Sequence, residues 1–148
     1  MIRINRRKFL VAAAVLATGS LLLAALPAQG FSPHNEVGVT AKTIKLGITL
    51  PMSGAASPGY KKIPGGMKAY FDYVNANGGV NGRKIILVVK DDAYTPMSSV
   101  QKTNDLILKD KVFALVGALG TANVKAVAAL VSPARRGIPD LFVNTTHN

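Results

Sequence analysis

The chain has no cysteine, only 2 histidines and only 7 acidic residues in 148, and each shortage removes a class of chemistry. Without cysteine there is no disulfide framework and no thiolate to bind a metal or attack a substrate, so the hydrophobic core must hold the fold alone. His34 and His147 stand near opposite ends, and no His-x-x-x-His pair offers zinc-type spacing. No Gly-x-Ser-x-Gly elbow surrounds Ser53. Gly117-x-x-Gly120-Thr121 is neither a Walker loop nor a dinucleotide fingerprint, because both need further glycines or a lysine at fixed offsets. Asp91-Asp92 is a carboxylate pair, but neighbouring residues point in different directions and this pair runs straight into a helix start. That favours loop and cap roles over acid–base chemistry. The expectation is a protein that is not an enzyme and carries no metal or cofactor.

What is present begins with a leader. Residues 1–30 combine a basic n-region (Arg3, Arg6, Arg7, Lys8), an uncharged apolar stretch from Phe9 to about Leu26, and small residues at Ala28-Gln29-Gly30 that suit cleavage before Phe31. Asn5-Arg6-Arg7-Lys8-Phe9-Leu10 resembles a twin-arginine signal, with ordinary Sec export as the alternative. Either route carries the chain across a bacterial inner membrane to the periplasm. An uncleaved anchor competes, since Phe9 to Pro33 is uncharged and long enough to span a bilayer, but Pro27 and the small residues after it favour cleavage. Four of the 18 basic residues lie in the leader, which leaves 14 against 7 acidic ones. Those 14 are scattered over every predicted element rather than clustered with aromatics, so nucleic acid is not an expected partner. Lys61-Lys62 and Arg135-Arg136 read as solvated helix ends, the second pair where cations favour a helix C-terminus.

After a short extension over residues 31–42, the pattern over 43–148 alternates strand and helix. Ile44, Leu46, Ile48 and Leu50 interleave with Lys45, Gly47 and Thr49 at period two, while Ile85–Val89 and Val112–Val116 are continuous apolar runs of the kind covered on both faces. A helix is predicted over Ile63 to Asn77, with Ile63, Met67, Tyr70, Phe71 and Val74 inward and Gly78-Gly79 as its C-cap. Asn81-Gly82 then turns the chain into the second strand. Thr95 as N-cap with Pro96 at the first helical position opens a second helix to Lys109, with Met97, Val100 and Ile107 inward. A third uses Val124, Val127, Ala128 and Val131, closes at Pro133 and Gly137, and leads to a fourth strand over Leu141 to Val143. The alternation implies right-handed crossovers and a doubly wound, Rossmann-like α/β parallel sheet. Ligands in such sheets bind outside the carboxyl ends of the strands, so the turns at Pro51–Gly54, Lys90–Pro96 and Gly117–Asn123 should meet at one edge.

The ordered set Gly38-Val39-Thr40, Ile44-Lys45-Leu46-Gly47, Pro51-Met52-Ser53-Gly54, Asn75-Ala76-Asn77-Gly78-Gly79-Val80-Asn81-Gly82-Arg83-Lys84-Ile85, Asp91-Asp92-Ala93-Tyr94-Thr95-Pro96, Gly117-Ala118-Leu119-Gly120-Thr121 and Ile138-Pro139-Asp140-Leu141-Phe142-Val143 resembles the leucine/isoleucine/valine-type periplasmic binding proteins. These are the solute receptors of ABC importers. The resemblance implies a bilobed receptor closing on an amino acid or analogue, of which this chain supplies the N-terminal lobe, and a membrane permease as protein partner. The ligand-binding domain of a sensory receptor shares this architecture and is the alternative; an exported flavodoxin-like enzyme would need a nucleophile and base that the sequence lacks.

Six residues are candidate ligand contacts. Thr121, with the N–H groups of its turn, sits at a predicted helix N-terminus suited to a carboxylate, or serves only as a cap. Gly120 permits close backbone approach or an ordinary turn. Ser53 either touches the solute or makes a loop hydrogen bond. The resemblance implies an apolar wall at Tyr60, and at Thr146 and Asn148 a hydroxyl and a carbonyl for the solute's ammonium group.

Export supplies a first prediction. Replacing Arg6 and Arg7 together by Lys should strand the precursor in the cytoplasm if the twin-arginine reading holds, and cell fractionation showing undiminished periplasmic product would leave Sec export in its place.

Overall fold

The computed structural model describes residues 36–145. In chain order they form β1 (Thr43–Leu50), a helical turn α1 (Ser57–Tyr60), α2 (Ile63–Ala76), β2 (Lys84–Asp91), α3 (Pro96–Leu108), β3 (Ala114–Val116), α4 (Thr121–Leu130), a 3-10 turn (Pro133–Arg136) and β4 (Asp140–Leu141). The strands make one sheet in the order β2-β1-β3-β4, every pair parallel. This is the α/β arrangement expected from the alternation of elements, with the order reversing beside β1.

Each face of the sheet carries its own apolar cluster. Ile48, Leu50 and Val116 pack with Leu46, Leu87, Val89, Met67 and Tyr60 on one side. Val100, Leu106, Ile107, Val112, Leu115, Val127 and Val131 pack with Val88, Ala126 and Ile138 on the other. The period-two pattern of β1 therefore does not separate core from solvent: Gly47 and Thr49 are buried as well. Position 47 is glycine because α3 leaves no room for a side chain, and a Cβ there would lie 3.0 Å from Leu106 Cδ1 and 3.1 Å from Val112 Cγ1. Lys45 and Lys90 also face α3, where Lys45 Nζ donates to the Asp110 carbonyl at 2.7 Å and Lys90 pairs with the Asp110 carboxylate at 2.9 Å. Both cations thus sit at the negative end of the α3 dipole.

β2 is an edge strand, so its residues are half-covered and Ile86 is exposed, rather than enclosed on both faces as its apolar run predicts. The edge is blunted from within the chain. Asn75 on α2 donates from Nδ2 to the Ile85 carbonyl at 2.9 Å and accepts the Ile85 N–H on Oδ1 at 2.7 Å, imitating a neighbouring strand.

Several predicted boundaries and faces shift. The buried stripe of α2 centres on Pro64, Met67, Phe71 and Val74, leaving Tyr70 and Ile63 exposed at its margin. In α3 the inward positions are Ser99, Val100, Thr103, Leu106 and Ile107, while Met97 faces solvent. In α4, Asn123 joins Val127 and Val131 on the buried face, and Ala128 is exposed. Thr95 occupies the N-cap position without a side-chain capping bond; its hydroxyl donates back to the Asp92 carbonyl at 3.3 Å. β3 begins at Ala114, with Val112 buried just before it. β4 ends at Leu141 because Phe142 adopts φ 57° and turns outward, and the chain rejoins its neighbour only at a Leu119–Asn144 bridge. The Gly78-Gly79 cap and the Asn81-Gly82 turn stand as expected, with Gly79 N–H donating to Val74 O and the turn closed by paired Val80–Arg83 hydrogen bonds.

The contact at Gly47 makes a testable claim. Gly47→Val should destabilise the fold by about 1–3 kcal/mol through overpacking against Leu106 and Val112, whereas Gly59→Ala, facing open space, should shift the urea midpoint little; equal effects would refute the close packing.

Candidate functional site

The three strand-end turns do meet at one edge, and two adjacent carboxylates join them. Asp91 Oδ1 accepts the backbone N–H groups of Met52 at 2.9 Å, Ser53 at 3.2 Å and Ala93 at 2.9 Å. Hydrogen bonding from the Ser53 hydroxyl first, then from these backbone groups, draws the Asp91 carboxyl down from 3.8 to about 2 against a small opposing effect of burial. Asp92 turns the other way and is 1% exposed. Its Oδ1 accepts the Tyr94 N–H at 2.9 Å and its Oδ2 the Ser99 hydroxyl at 2.8 Å. Neither carboxylate lines the cleft described below; both carry the loop role that the sequence favours, and neither makes a capping bond to the helix that follows.

These bonds hold Ala93 and Tyr94 at φ 49° and 60°, two consecutive left-handed residues that are not glycine. Such backbone costs on the order of 1–3 kcal/mol per residue and persists only where surrounding bonds fix it. Its effect is to swing the Tyr94 ring over the turn after β3. Gly120, at φ 91°, receives it: a Cβ at that position would lie 2.8 Å from Tyr94 Cε2. Gly120 is therefore a glycine for two reasons, its backbone and its neighbour. Tyr60, at the end of α1, stacks on Tyr94 with ring planes 9° apart and centroids at 6.3 Å.

Between these rings and the start of α4 lies an open cleft of about 170 Å³, lined by Tyr60, Tyr94, Leu119, Gly120, Thr121, Asn144 and Thr145. Its floor is the seam where the chain after β4 rejoins the turn after β3, through Asn144 N–H to Ala118 O at 2.7 Å and Gly120 N–H to Asn144 O at 3.1 Å. The Thr145 hydroxyl donates to the Thr121 hydroxyl at 3.0 Å. α4 opens here, so the positive end of its dipole favours an anion in the cleft. A smaller cavity of about 20 Å³ lies between the sheet, α3 and α4, lined in part by Ser99, Thr103, Asn123 and Asp140. It has room for about one water and none for a solute.

Of the six candidates from sequence, the structure brings Tyr60, Gly120 and Thr121 together. Ser53 lies on Asp91 in the β1–α1 turn and is not among the residues lining the cleft. Thr146 and Asn148 lie outside the described residues, as does the leader over residues 1–30. Tyr94, Asn144 and Thr145 line the cleft without having been singled out. The pattern Asp-Asp-x-Tyr before a capped helix could have raised Tyr94, but its left-handed backbone could not be read from sequence.

An open cleft at the strand ends of a parallel α/β sheet, lined by aromatic rings, hydroxyls and a helix N-terminus, has the character of a small-solute binding site. Comparison with known proteins agrees. Residues 43–147 match the periplasmic binding protein family. An amino acid binding protein of Pseudomonas aeruginosa is 40% identical over 100 residues, 67% of this chain and 25% of that protein. The branched-chain amino acid transporter substrate binding protein LivJ of Streptococcus pneumoniae, solved with isoleucine, superposes with TM-score 0.64 at 28% identity over 72% of this chain and 30% of its own. An ABC transporter solute binding protein of Rhodopseudomonas palustris, solved with 3,4-dihydroxy benzoic acid, gives TM-score 0.57 at 30% identity over 68% and 27%. The chain belongs to the periplasmic binding protein family, a family of solute-binding proteins and not of enzymes. It spans about a quarter of the length of the curated relatives it matches.

The depressed Asp91 carboxyl gives the turn a pH signature. A carboxylate whose pKa is lower folded than unfolded adds stability that is fully present above the unfolded value of 3.8 and disappears as the pH falls through about 2. Asp91→Asn should therefore be less stable than the parent at pH 7, with the gap closing between pH 3.8 and about 2; urea titrations showing a pH-independent gap would contradict the assigned bonds.

Proposed function

We propose that this chain is the N-terminal lobe of the extracytoplasmic solute-binding component of an ABC importer, exported to the periplasm with residues 1–30 removed. It closes with a second lobe on a small carboxylate solute, a branched-chain or related amino acid, and delivers it to a membrane permease. The observation that carries this reading is the convergence of Tyr60, Gly120, Thr121 and Thr145 on one strand-end cleft in a chain of this family. The two liganded relatives hold isoleucine and 3,4-dihydroxy benzoic acid, and a carboxylate is what those molecules share. The start of α4 suits that group, with the helix dipole and the hydroxyl pair of Thr121 and Thr145 beside it. Thr146 and Asn148 keep a proposed role toward the solute's ammonium group, while Ser53 acts through the turn it shares with Asp91.

A single lobe leaves one face of the solute wet and supplies only part of its polar contacts. Calorimetry on this chain should find branched-chain amino acids bound no tighter than about millimolar, roughly 4 kcal/mol. In a two-lobed receptor carrying this lobe, Thr121→Ala should weaken binding by about 1.5–3 kcal/mol, the loss expected for a hydrogen bond to a charged group. Micromolar binding by the chain alone, or an unaffected Thr121→Ala receptor, would count against the assignment.

A further inference from the structure

The two walls of the cleft differ in kind. One is polar, formed by Thr121, Asn144 and Thr145; the other is the pair of tyrosine rings with Leu119 beside them. The rings of Tyr60 and Tyr94 are nearly parallel, and their 6.3 Å centroid separation lies toward the wide end of the range for offset stacking. The stacked, nearly parallel pair gives this side of the cleft an aromatic wall. Tyr60 is anchored below, where it joins the apolar cluster of Ile48, Leu50 and Val116. Tyr94 remains 42% exposed.

Nothing about this placement is cheap, which argues against Tyr94 being an incidental surface residue. Its backbone is left-handed and follows another left-handed residue, Ala93. A buried carboxylate, Asp92, fixes its N–H, and the opposite turn forgoes a side chain at Gly120 to admit its ring. Two separate segments are thus shaped around one aromatic ring at the mouth of a cleft. No residue lining that cleft carries a charged side chain, so among the described residues it is shape and aromatic surface that distinguish one solute body from another.

Resting on the reading of this cleft as the solute site, the geometry points to an aromatic body for the solute: an aryl ring lying against the Tyr60–Tyr94 surface, with its carboxylate toward Thr121 and Thr145. A flat ring can stack on a tyrosine ring of that wall and adds the favourable quadrupole geometry of an aromatic pair. A branched aliphatic side chain meets the same surface only through its methyl groups. Tyr94 is the specificity-determining residue in this arrangement. The shared chemistry, an aryl ring plus a carboxylate, occurs both in aromatic amino acids and in aryl acids without an ammonium group.

Ligand-observed NMR on the chain, which detects millimolar binding, tests this with 4-hydroxybenzoate, phenylalanine and leucine as probes. The two ring compounds should bind roughly fivefold more tightly than leucine, within the range expected of one aromatic contact. Tyr94→Leu should abolish that preference, and Tyr94→Phe, which keeps the ring, should retain it; Tyr60→Leu, on ordinary helical backbone, provides the same test if Tyr94→Leu does not fold. Tighter binding of 4-hydroxybenzoate than phenylalanine supports the inference with an aryl acid as the source, and the reverse order supports it with an aromatic amino acid. Leucine binding as well as the ring compounds, or a ring preference untouched by loss of either tyrosine, overturns the aromatic inference while leaving solute binding intact. Binding of none of the three overturns the aromatic inference alone, since the reading as one lobe of a receptor sets no lower limit on the chain's own affinity and is judged by the Thr121→Ala receptor.

Discussion

Two neighbouring carboxylates at the end of β2, facing opposite ways, hold together the edge on which the cleft is built. Asp91 gathers three backbone N–H groups, two of them from the turn after β1, and Asp92 turns into the core to hold Tyr94 and Ser99. Hydrogen bonds to ionised acceptors are roughly twice as strong as neutral ones. That strength offsets the cost of two left-handed residues in succession. From this point the constraints run in a line: Asp92 sets the Tyr94 backbone, the backbone sets the ring, and the ring requires glycine at position 120. Gly120 N–H then bonds to Asn144 and brings the segment after β4 alongside.

A second constraint is the closeness of the helices to the sheet on the α3–α4 side. Gly47 and Thr49 on β1 face Ser99 and Thr103 on α3, all small, with Asn123 and Asp140 nearby. Small residues let α3 approach β1 closely, and that approach lets the Ser99 hydroxyl reach the Asp92 carboxylate and, at 3.1 Å, the Thr95 carbonyl. Burial pushes the Asp140 carboxyl upward, as expected for an acid partly withdrawn from water. The polar residues of this layer are structural, and they show why a hydrophobicity count alone misplaces the inner faces of α3 and α4.

The strands, the helix order, the parallel topology and the meeting of the turns were legible in the sequence because each rests on local periodicity and turn chemistry. Gly78-Gly79 and Asn81-Gly82 are of this kind, as are the loop roles of Asp91 and Asp92. What was not legible depends on contacts between segments distant in sequence. Asn75 reads as one more polar residue near a helix end until Ile85 is seen beside it. Ser99, Thr103 and Asn123 carry no apolar signal, yet they lie on the buried faces of α3 and α4. Met97 and Tyr70 read as core by spacing, but lie just off the buried stripe. Phe142 extends an apolar run, yet its left-handed backbone ends the strand before it. Within the cleft, Gly120 and Thr121 were reachable from sequence because a strand-end turn and a helix start mark them, and Tyr60 through the family resemblance. Tyr94 lies in the strand-end turn after β2, but its left-handed backbone and its place over Gly120 depend on three-dimensional contacts that sequence does not show.

The distribution of charge narrows what such a lobe can do. Lys45 and Lys90 bind Asp110 and Lys109 pairs with Asp105, and among the described residues no lysine lines the cleft. A solute carboxylate would therefore be met by dipoles and hydroxyls, which are already oriented by the backbone and need no mobile side chain to be ordered on binding. Preorganised groups of this sort lose little entropy when the solute arrives. They also avoid the desolvation cost that a lysine or arginine would pay on being enclosed. In the two-lobed receptor we propose, closure would bury the cleft, and a charged wall would then need a partner in every solute-free closed state. An uncharged wall has no such requirement, so the described residues of this cleft can be enclosed or exposed without a change in ionic balance.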